Sequence, residues 1–465
     1  MKILSRSIIA VIAIGHCLFA AAQDSIPVLK GKVTISIQNG TIECDLTLSN
    51  IPPIEDYLFR LNSGMNIRNF TNVAGRNYLY WDRATNDTLS TGESVGYYFP
   101  AGGGKKFLPG EIQFRYVGMF PVMRDTINNY SVQDWKGNLA FNGYSLRADG
   151  RQSAWYPLLF DRKKDRGYEQ VKYDLEIRCD DCNMMYLNGS KPAPGPVARF
   201  SSDIPRELTI YLGNYKVQEM NGTFFLNPDI NTDQLKQFGM MINSYKNFYE
   251  EKIGIKYKDN ITFIQTTPVS KDNAWLFVSY PSIVNIGYGD YGMKSFFNKK
   301  TGDWFKPYMA HELGHYYFGT YKRFNAELGD MLSEGFAEFL ALKVARKLVS
   351  DSVYSGKVKN KLKNLKGFDA IPFGKVANRS DYTDRELYVY NYAPIIFTAI
   401  EKEIGEDRMW AWIKSLLTTP TAFTNYAFVK ETLASVLKDQ MLTERLASTY
   451  FTSNNSLANA VKAIN

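Results

Sequence analysis

The chain from about residue 25 to residue 225 alternates between apolar and polar positions. The clearest alternation lies at residues 32–37, 42–48, 110–116 and 207–212, with Gly, Asn, Asp and Pro clustered between these stretches. A period of two predicts half-buried β-strands, and the intervening residues are those that turns favour. The pattern therefore predicts a large antiparallel β domain over residues 23–225.

Near residue 230 the apolar period changes to that of a helix. Residues 233–254 carry Leu235, Phe238, Ile242 and Tyr245 at helical spacing, which predicts an amphipathic helix with a core-facing stripe. A strand is predicted at residues 257–265. Further helices are predicted at residues 306–320, 331–349, 394–404, 409–416 and 428–437. The fold class is therefore multidomain α+β, with a mainly helical domain over residues 226–465 that ends in a short helical segment.

Residues 1–22 predict an export signal. Lys2 and Arg6 give a positive start, residues 7–19 an apolar core too short to span a bilayer, and residues 20–22 three alanines suited to cleavage. A lipoprotein acylated at Cys17 is the alternative, although Gly15 and His16 fit such a site poorly. No later stretch has eighteen consecutive apolar residues. We therefore expect a periplasmic or extracellular protein with no transmembrane anchor in the mature chain.

Composition excludes some classes of function. With 465 residues, 45% hydrophobic and 14% aromatic, the chain is long enough for two or three packed domains. The formal net charge of +8 falls to +6 without Lys2 and Arg6, and no basic run concentrates it. Nucleic-acid binding is therefore not expected.

Three cysteines remain after the predicted signal peptide: Cys44, Cys179 and Cys182. Cys179 can pair with Cys182, one of them can pair with Cys44, or all three can stay buried thiols. A single Cys-x-x-Cys is weak evidence for redox chemistry.

The candidate chemistry lies in His-Glu-Leu-Gly-His, residues 311–315. On a helix, His311 and His315 project from one face and can take two corners of a tetrahedral Zn²⁺. Glu312 is then placed to act as a general base, and Glu334, nineteen positions after His315, supplies a third ligand. Such a motif also occurs by chance on ordinary amphipathic helices. However, His311 and His315 are the only histidines after the leader, so we expect one Zn²⁺ per chain.

The motif, its eighteen-residue spacing and the Ser-Glu-Gly-Phe-Ala-Glu segment around Glu334 resemble the aminopeptidase N family of gluzincin zinc metallopeptidases. Phrases of the β region at residues 108–118, 155–162 and 171–189 are similar to that family in the same order. The resemblance implies a thermolysin-like catalytic domain that hydrolyses a peptide or protein substrate. Relatives continue into a helical-repeat domain, so a short form with a more open cleft is expected.

One feature of the family is missing. Residues 279–296 occupy the place of its Gly-Ala-Met-Glu-Asn segment, whose glutamate binds the free α-amine of the substrate. The nearest carboxylate here is Asp290, which either reaches an ammonium through water or only forms a turn. This departure puts strict aminopeptidase specificity in doubt and favours longer peptides, with endopeptidase character. An edge strand that pairs with an extended substrate is still expected.

The resemblance also implies an oxyanion-stabilising tyrosine about eighty residues after His311. Tyr390 is the candidate, and Tyr388 and Tyr392 are alternatives because they share its strand-like parity. Glu338 either accepts a hydrogen bond from a ligand imidazole or is an ordinary structural carboxylate.

The expected mechanism follows from these residues. Zn²⁺ activates a water, Glu312 takes its proton, and Zn²⁺ and the Tyr390 hydroxyl share the charge of the oxyanion. A catalytically silent peptide-binding relative and a zinc hydrolase acting on a non-peptide bond are the alternative functions.

Overall fold

The structure is a computed structural model that describes residues 25–85, 87, 94–122, 139–266, 275–286 and 292–464. A β-rich N-terminal region built from antiparallel sheets precedes a mainly helical region, which confirms the predicted fold class. The predicted signal peptide at residues 1–22 and Asp290 lie outside the described residues.

The described part of the N-terminal region forms three sheets. Its strands are β1 (Val28–Ser36), β2 (Thr41–Ser49), β3 (Tyr57–Asn62), β4 (Met65–Asn72), β5 (Asn77–Tyr78), β6 (Asp82–Arg83), β7 (Ser94–Tyr98), β8 (Ile112–Met119), β9 (Leu139–Phe141), β10 (Ser145–Ala148), β11 (Leu158–Asp161), β12 (Arg166–Tyr168), β13 (Gln170–Cys179), β14 (Met184–Leu187), β15 (Ala193–Pro194), β16 (Val197–Glu207) and β17 (Ile210–Gly213). The largest sheet has the order β16-β13-β1-β2-β8-β4-β5, and its β1–β13 pair is parallel. The other two sheets have the orders β15-β14-β17-β10-β9 and β12-β11-β3-β7-β6.

Alternating burial explains why these strands form. On β2, Ile42, Cys44, Leu46 and Leu48 are buried and the residues between them are more exposed, so one face packs on the core. Three of the four alternating stretches lie within or largely overlap β1, β2 and β8. The fourth, residues 207–212, is not one strand, because the chain leaves one sheet at the end of β16 and enters another at β17.

A further five-stranded sheet adjoins the helices. Its strands are β18 (Val217–Met220), β19 (Thr223–Leu226), β20 (Thr262–Thr266), β21 (Trp275–Ser279) and β22 (Ser282–Ile286), in the order β18-β19-β20-β22-β21. The strand predicted at residues 257–265 begins only at Thr262, because Asp259 takes a positive φ of 61° that strand backbone does not allow. The domain boundary at residue 225 stays a prediction, and β19 spans it.

The helices are α1 (Gly150–Ser153), α2 (Thr232–Ile253), α3 (Gly302–Gly314), α4 (Gly329–Val344), α5 (Asp351–Asn364), α6 (Arg385–Leu387), α7 (Ala393–Ile404), α8 (Glu406–Thr418), α9 (Tyr426–Leu437), α10 (Gln440–Leu446) and α11 (Ser456–Ile464). Helix α2 matches the prediction closely. Asn231 and Gln234 form a capping box at its start, and Gly254 ends it with a φ of 70°. Among the described residues, no helix has the length and apolar character needed to cross a membrane.

The helical core centres on α4. The Phe336 ring stacks on Phe397 of α7 at 4.0 Å and on Phe318, which follows α3, at 4.8 Å. Tyr316, Tyr317 and Phe318 are buried in this core. The stacked rings therefore pack α7 and the segment after α3 against α4.

The three cysteines of the described residues are thiols in the structure. Cys44 is buried on β2, and Cys179 ends β13, with β1 lying between these two strands. Cys182 donates to the Cys179 carbonyl at 3.3 Å. This arrangement places Cys179 nearer to Cys182 than to Cys44 along the sheet.

Candidate metal centre and cleft

Helix α3 presents the histidine motif at its C-terminal end. The helix runs from Gly302 to Gly314, not over residues 306–320, so Pro307 lies in its interior and not in its first turn. It begins earlier because a turn at Asn298 leads directly into it, with the Gly302 N–H donating to the Asn298 carbonyl at 2.7 Å. It ends earlier because the Tyr316 N–H turns back to Leu313, three residues before. His315 keeps helical φ and ψ, so the four-residue spacing still places both imidazoles on one face.

Helix α4 carries Glu334 against the same face. The two helices approach closely at Gly314, where a Cβ would lie only 3.2 Å from the Cα of Ala337. A side chain at position 314 would push the backbone of α4 away. The glycine of the motif therefore sets the distance between Glu334 and the imidazoles.

Three potential ligand atoms converge at one point. His311 Nε2 and His315 Nε2 are 3.1 Å apart, and each lies 3.3 Å from Glu334 Oε2. Ligands about 2.0 to 2.1 Å from a tetrahedral Zn²⁺ are about 3.3 Å from one another. Glu334 Oε2 is buried and accepts no hydrogen bond from the described residues. A cation at the centre would satisfy this oxygen, so the donor set fits Zn²⁺.

The charges of the centre are strongly coupled. Burial lowers the pKa of His311, but the adjacent carboxylates of Glu334 and Glu338 outweigh burial and raise it to about 10. Burial raises the pKa of Glu334, but the two imidazoles outweigh it and hold the pKa well below its usual range. The centre therefore stabilises positive charge, which a divalent cation supplies when it displaces the imidazole protons.

Each imidazole is oriented from behind. His311 Nδ1 donates to Glu338 Oε2 at 2.9 Å, and His315 Nδ1 donates to the Phe318 carbonyl at 3.2 Å. The hydrogen bond that we predicted as one role for Glu338 is thus present. Because both Nδ1 atoms are engaged, both Nε2 atoms face the centre.

Glu312 lies in the last turn of α3 and lines the cleft beside both histidines. It is 8% exposed. Burial raises the pKa of its carboxyl, and the neighbouring imidazoles oppose that shift. A carboxylate with raised proton affinity is suited to accept and return a proton.

The three candidate tyrosines have different surroundings. The segment is not strand-like: a π-helical turn at Tyr388–Tyr392 joins α6 to α7. Tyr388 and Tyr392 are fully buried, with hydroxyls bonded to the Ile371 carbonyl at 2.9 Å and Ser456 Oγ at 2.7 Å. Only Tyr390 of the three lines the cleft, with its ring centroid 5.8 Å from that of His311. The geometry therefore separates Tyr390 from its alternatives.

Arg385 is a site residue that the sequence analysis missed. Its guanidinium binds both carboxylate oxygens of Asp330, at 2.7 and 2.8 Å, and lies 3.5 Å from Glu334 Oε1. The same group lies 5.7 Å from the ring centroid of Tyr390. In the sequence, Arg385 is only an arginine five residues before Tyr390. This spacing does not predict that the two side chains lie together unless the helical turn between them is known.

The cleft, of about 1050 Å³, is lined by both regions of the chain. One wall is the edge strand β21, whose residues 276–279 line the cleft. The turn after Ser279 directs the chain into β22, which lies inside the sheet.

A second wall comes from the N-terminal region. Arg323 donates to the Gly167 carbonyl at 3.0 Å and pairs with Glu169, while the Ala326 N–H donates to Asp165 at 3.1 Å. Residues 164–170 are thereby fastened to the loop that follows α3. The metal centre and this wall form one continuous surface.

The fold is that of the M1 zinc metallopeptidases. No protein-family model matches the chain, and no curated protein sequence matches it. Solved structures do. The M1 zinc metallopeptidase of Deinococcus radiodurans matches with a TM-score of 0.57 and 12% identity, over 93% of this chain and 94% of that chain.

Two further structures agree. A mutant of the Deinococcus radiodurans enzyme bound to a Tyr-Ser-Ala substrate gives a TM-score of 0.59 at 12% identity, covering 91% of this chain and 93% of that one. Yeast LTA4 hydrolase in complex with bestatin gives 0.59 at 12% identity, covering 92% of this chain and 67% of that one. At this identity the likeness establishes the architecture.

Proposed function

We propose that the protein is an exported zinc metallopeptidase that hydrolyses peptide bonds. One observation supports this proposal above all: the potential ligand atoms of His311, His315 and Glu334 lie within 3.3 Å of one another, and the buried Glu334 oxygen among them has no hydrogen-bond partner in the described structure. His311, His315 and Glu334 would hold one Zn²⁺. The N-terminal signal supports export to the periplasm or the extracellular space.

The residues of the chain divide the chemistry among them. Bound Zn²⁺ supplies a Lewis acid that acidifies water and polarises the scissile carbonyl. Glu312 accepts the proton of the attacking water and delivers it to the leaving amine. Burial, reinforced by the charge of Glu334, raises the pKa of Tyr390 well above its usual range, so its hydroxyl stays protonated and donates to the developing oxyanion.

The substrate is a peptide or protein in extended conformation. The exposed backbone edge of β21 can pair with such a chain and hold the scissile bond over the metal centre. The Deinococcus radiodurans enzyme binds a tripeptide in the same architecture. Because the amine-binding glutamate of the aminopeptidase N family is missing from the sequence, we propose that longer peptides are accepted, with endopeptidase character.

Cleavage of a mixed peptide library by the purified protein tests the proposal. We expect about one zinc per chain by elemental analysis, and cleavage that a chelator abolishes and added Zn²⁺ restores. Mass spectrometry of the products separates internal cleavage from stepwise loss of N-terminal residues. Protein that stays free of zinc after supplementation, or zinc-loaded protein that cleaves no peptide, would refute the proposed function.

A further inference from the structure

Helix α5 buries a lysine in its apolar stripe. Val353, Val358 and Leu365 are buried on the inner side of this segment, and Lys361 lies among them with only 7% of its surface exposed. An ammonium group in such a position is costly unless it is paired. Lys361 is therefore expected to need hydrogen-bonding or charged partners for its ammonium group.

Lys361 has two partners, and both belong to the metal centre and its surroundings. Its Nζ lies 2.6 Å from Glu338 Oε1 and 2.6 Å from the backbone carbonyl of Tyr390. The other oxygen of Glu338 accepts from His311 Nδ1 at 2.9 Å. One ammonium thus joins the support of a metal-binding histidine to the turn that presents Tyr390.

This connection has two physical effects. The Lys361 ammonium binds one oxygen of Glu338, so it fixes the orientation of this buried carboxylate and the direction in which its other oxygen accepts from the His311 imidazole. The second hydrogen bond holds the backbone of the π-helical turn, and a misplacement of about 1 Å at a reacting group can cost about a hundredfold in rate.

We propose that Lys361 is a positioning residue that fixes the His311 imidazole and the Tyr390 backbone together. The inference rests on the proposed zinc peptidase function and deepens it. It gives α5, which carries none of the three proposed metal ligands, a role in placing both a metal ligand and the proposed oxyanion donor. Sequence alone could not assign this role, because Glu338 and Tyr390 lie 23 and 29 positions from Lys361.

A second buried lysine offers a matched control. Lys343 of α4 is 2% exposed, and its Nζ lies 2.6 Å from Glu401 and 3.1 Å from Glu406. These partners belong to α7 and α8 and do not line the cleft. Lys343→Met therefore removes a comparable buried ion pair without touching the metal centre.

The test compares Lys361→Met, Lys343→Met and the double variant Lys361→Met/Glu338→Gln in the full chain. Zinc affinity is measured by competition with a chelating dye, and kcat and KM are measured with zinc-saturated protein on a quenched fluorescent peptide that the wild type cleaves. We expect Lys361→Met to bind zinc about 10- to 100-fold more weakly. Its kcat should fall at least about tenfold with little change in KM. Lys343→Met should keep both properties, although both single variants should melt at lower temperature.

The double variant separates the two effects and removes the unpaired charge that could prevent folding. The side-chain amide introduced at position 338 has a carbonyl oxygen that can still accept from His311, so the zinc affinity of the double variant should lie above that of Lys361→Met. The kcat of this variant should stay low, because the Tyr390 carbonyl still lacks its donor. Equal zinc affinity and kcat in Lys361→Met and Lys343→Met would overturn the inference, and so would recovery of kcat in the double variant.

Failure of the proposed function gives a different result. Wild-type protein that binds Zn²⁺ but cleaves no peptide would refute the peptidase proposal, and the zinc affinities would then decide the role of Lys361. Wild-type protein that binds no Zn²⁺ would overturn both.

Discussion

Removal of the Tyr390 hydroxyl is the sharpest test of the arrangement at the cleft. Tyr390→Phe deletes one oxygen and keeps the ring beside His311. Loss of one oxyanion donor costs about 2.7 to 4 kcal/mol of transition-state stabilisation, which is about a hundredfold to a thousandfold in kcat. We expect KM to change little, because the hydrogen bond forms fully only in the transition state.

The neighbouring tyrosines supply matched controls. Tyr388→Phe loses a buried hydrogen bond to the Ile371 carbonyl, and Tyr392→Phe loses one to Ser456. Each change should lower the free energy of unfolding by about 1 kcal/mol and leave kcat nearly unchanged. Steady-state kinetics and thermal melting of the three variants therefore form one experiment with opposite expected outcomes.

The result that would refute this reasoning is specific. If Tyr390→Phe keeps kcat within about threefold of the wild type, the hydroxyl is not the oxyanion donor. Both Tyr388 and Tyr392 are buried in the core. A large loss of kcat in Tyr388→Phe or Tyr392→Phe would therefore show that the oxyanion donor is assigned to the wrong tyrosine of the turn.

Three further predictions concern the base, the ligands and the wall of the cleft. Glu312→Gln should bind zinc as the wild type does and lose nearly all turnover, measured as zinc content and peptide cleavage; substantial remaining activity would show that another group is the base. Glu334→Ala should lose most of its zinc on dialysis, and added Zn²⁺ should raise its melting temperature less than that of the wild type. An equal rise in melting temperature would exclude Glu334 as a ligand. Burial raises the pKa of Glu169, but Arg323 and Arg151 outweigh burial and lower the pKa to about 2. The ion pair of Glu169 with Arg323 therefore stabilises the fold at pH values above the ordinary pKa of a glutamate, and this stabilisation is lost as the pH falls towards 2. The melting temperature of Arg323→Gln should therefore lie furthest below that of the wild type near neutral pH and approach it in acid, and a constant difference would contradict the pairing.

Short-range patterns predicted the elements that carry the metal centre. The four-residue spacing of His311 and His315 depends only on helical backbone, which His315 keeps just beyond the end of α3. Glu334 lies on the next helix, so its position followed from spacing alone. The structure brings His311, His315 and Glu334 together because α3 packs against α4.

Long-range contacts were beyond the reach of the sequence patterns. The parity of Tyr388, Tyr390 and Tyr392 suggested a strand, but these residues form a π-helical turn, and this turn separates Tyr390 from the other two. Arg385 and Lys361 gave no usable signal, because each acts on residues from another helix. In both cases tertiary packing outweighs local propensity.

The identity of the edge strand was also beyond the sequence patterns. An edge strand was expected, but only strand pairing identifies it as β21, and hydrophobic alternation does not contain that information.

The contacts of residues 164–170 with the loop that follows α3 have a consequence for how the proposed enzyme could diversify. The proposed catalytic residues and this wall of the cleft are encoded by stretches of chain that lie more than a hundred residues apart. Substitutions in the β region can therefore alter which chains enter without disturbing the reaction itself. A laboratory search for new selectivities would do best to randomise that rim and leave the helices untouched.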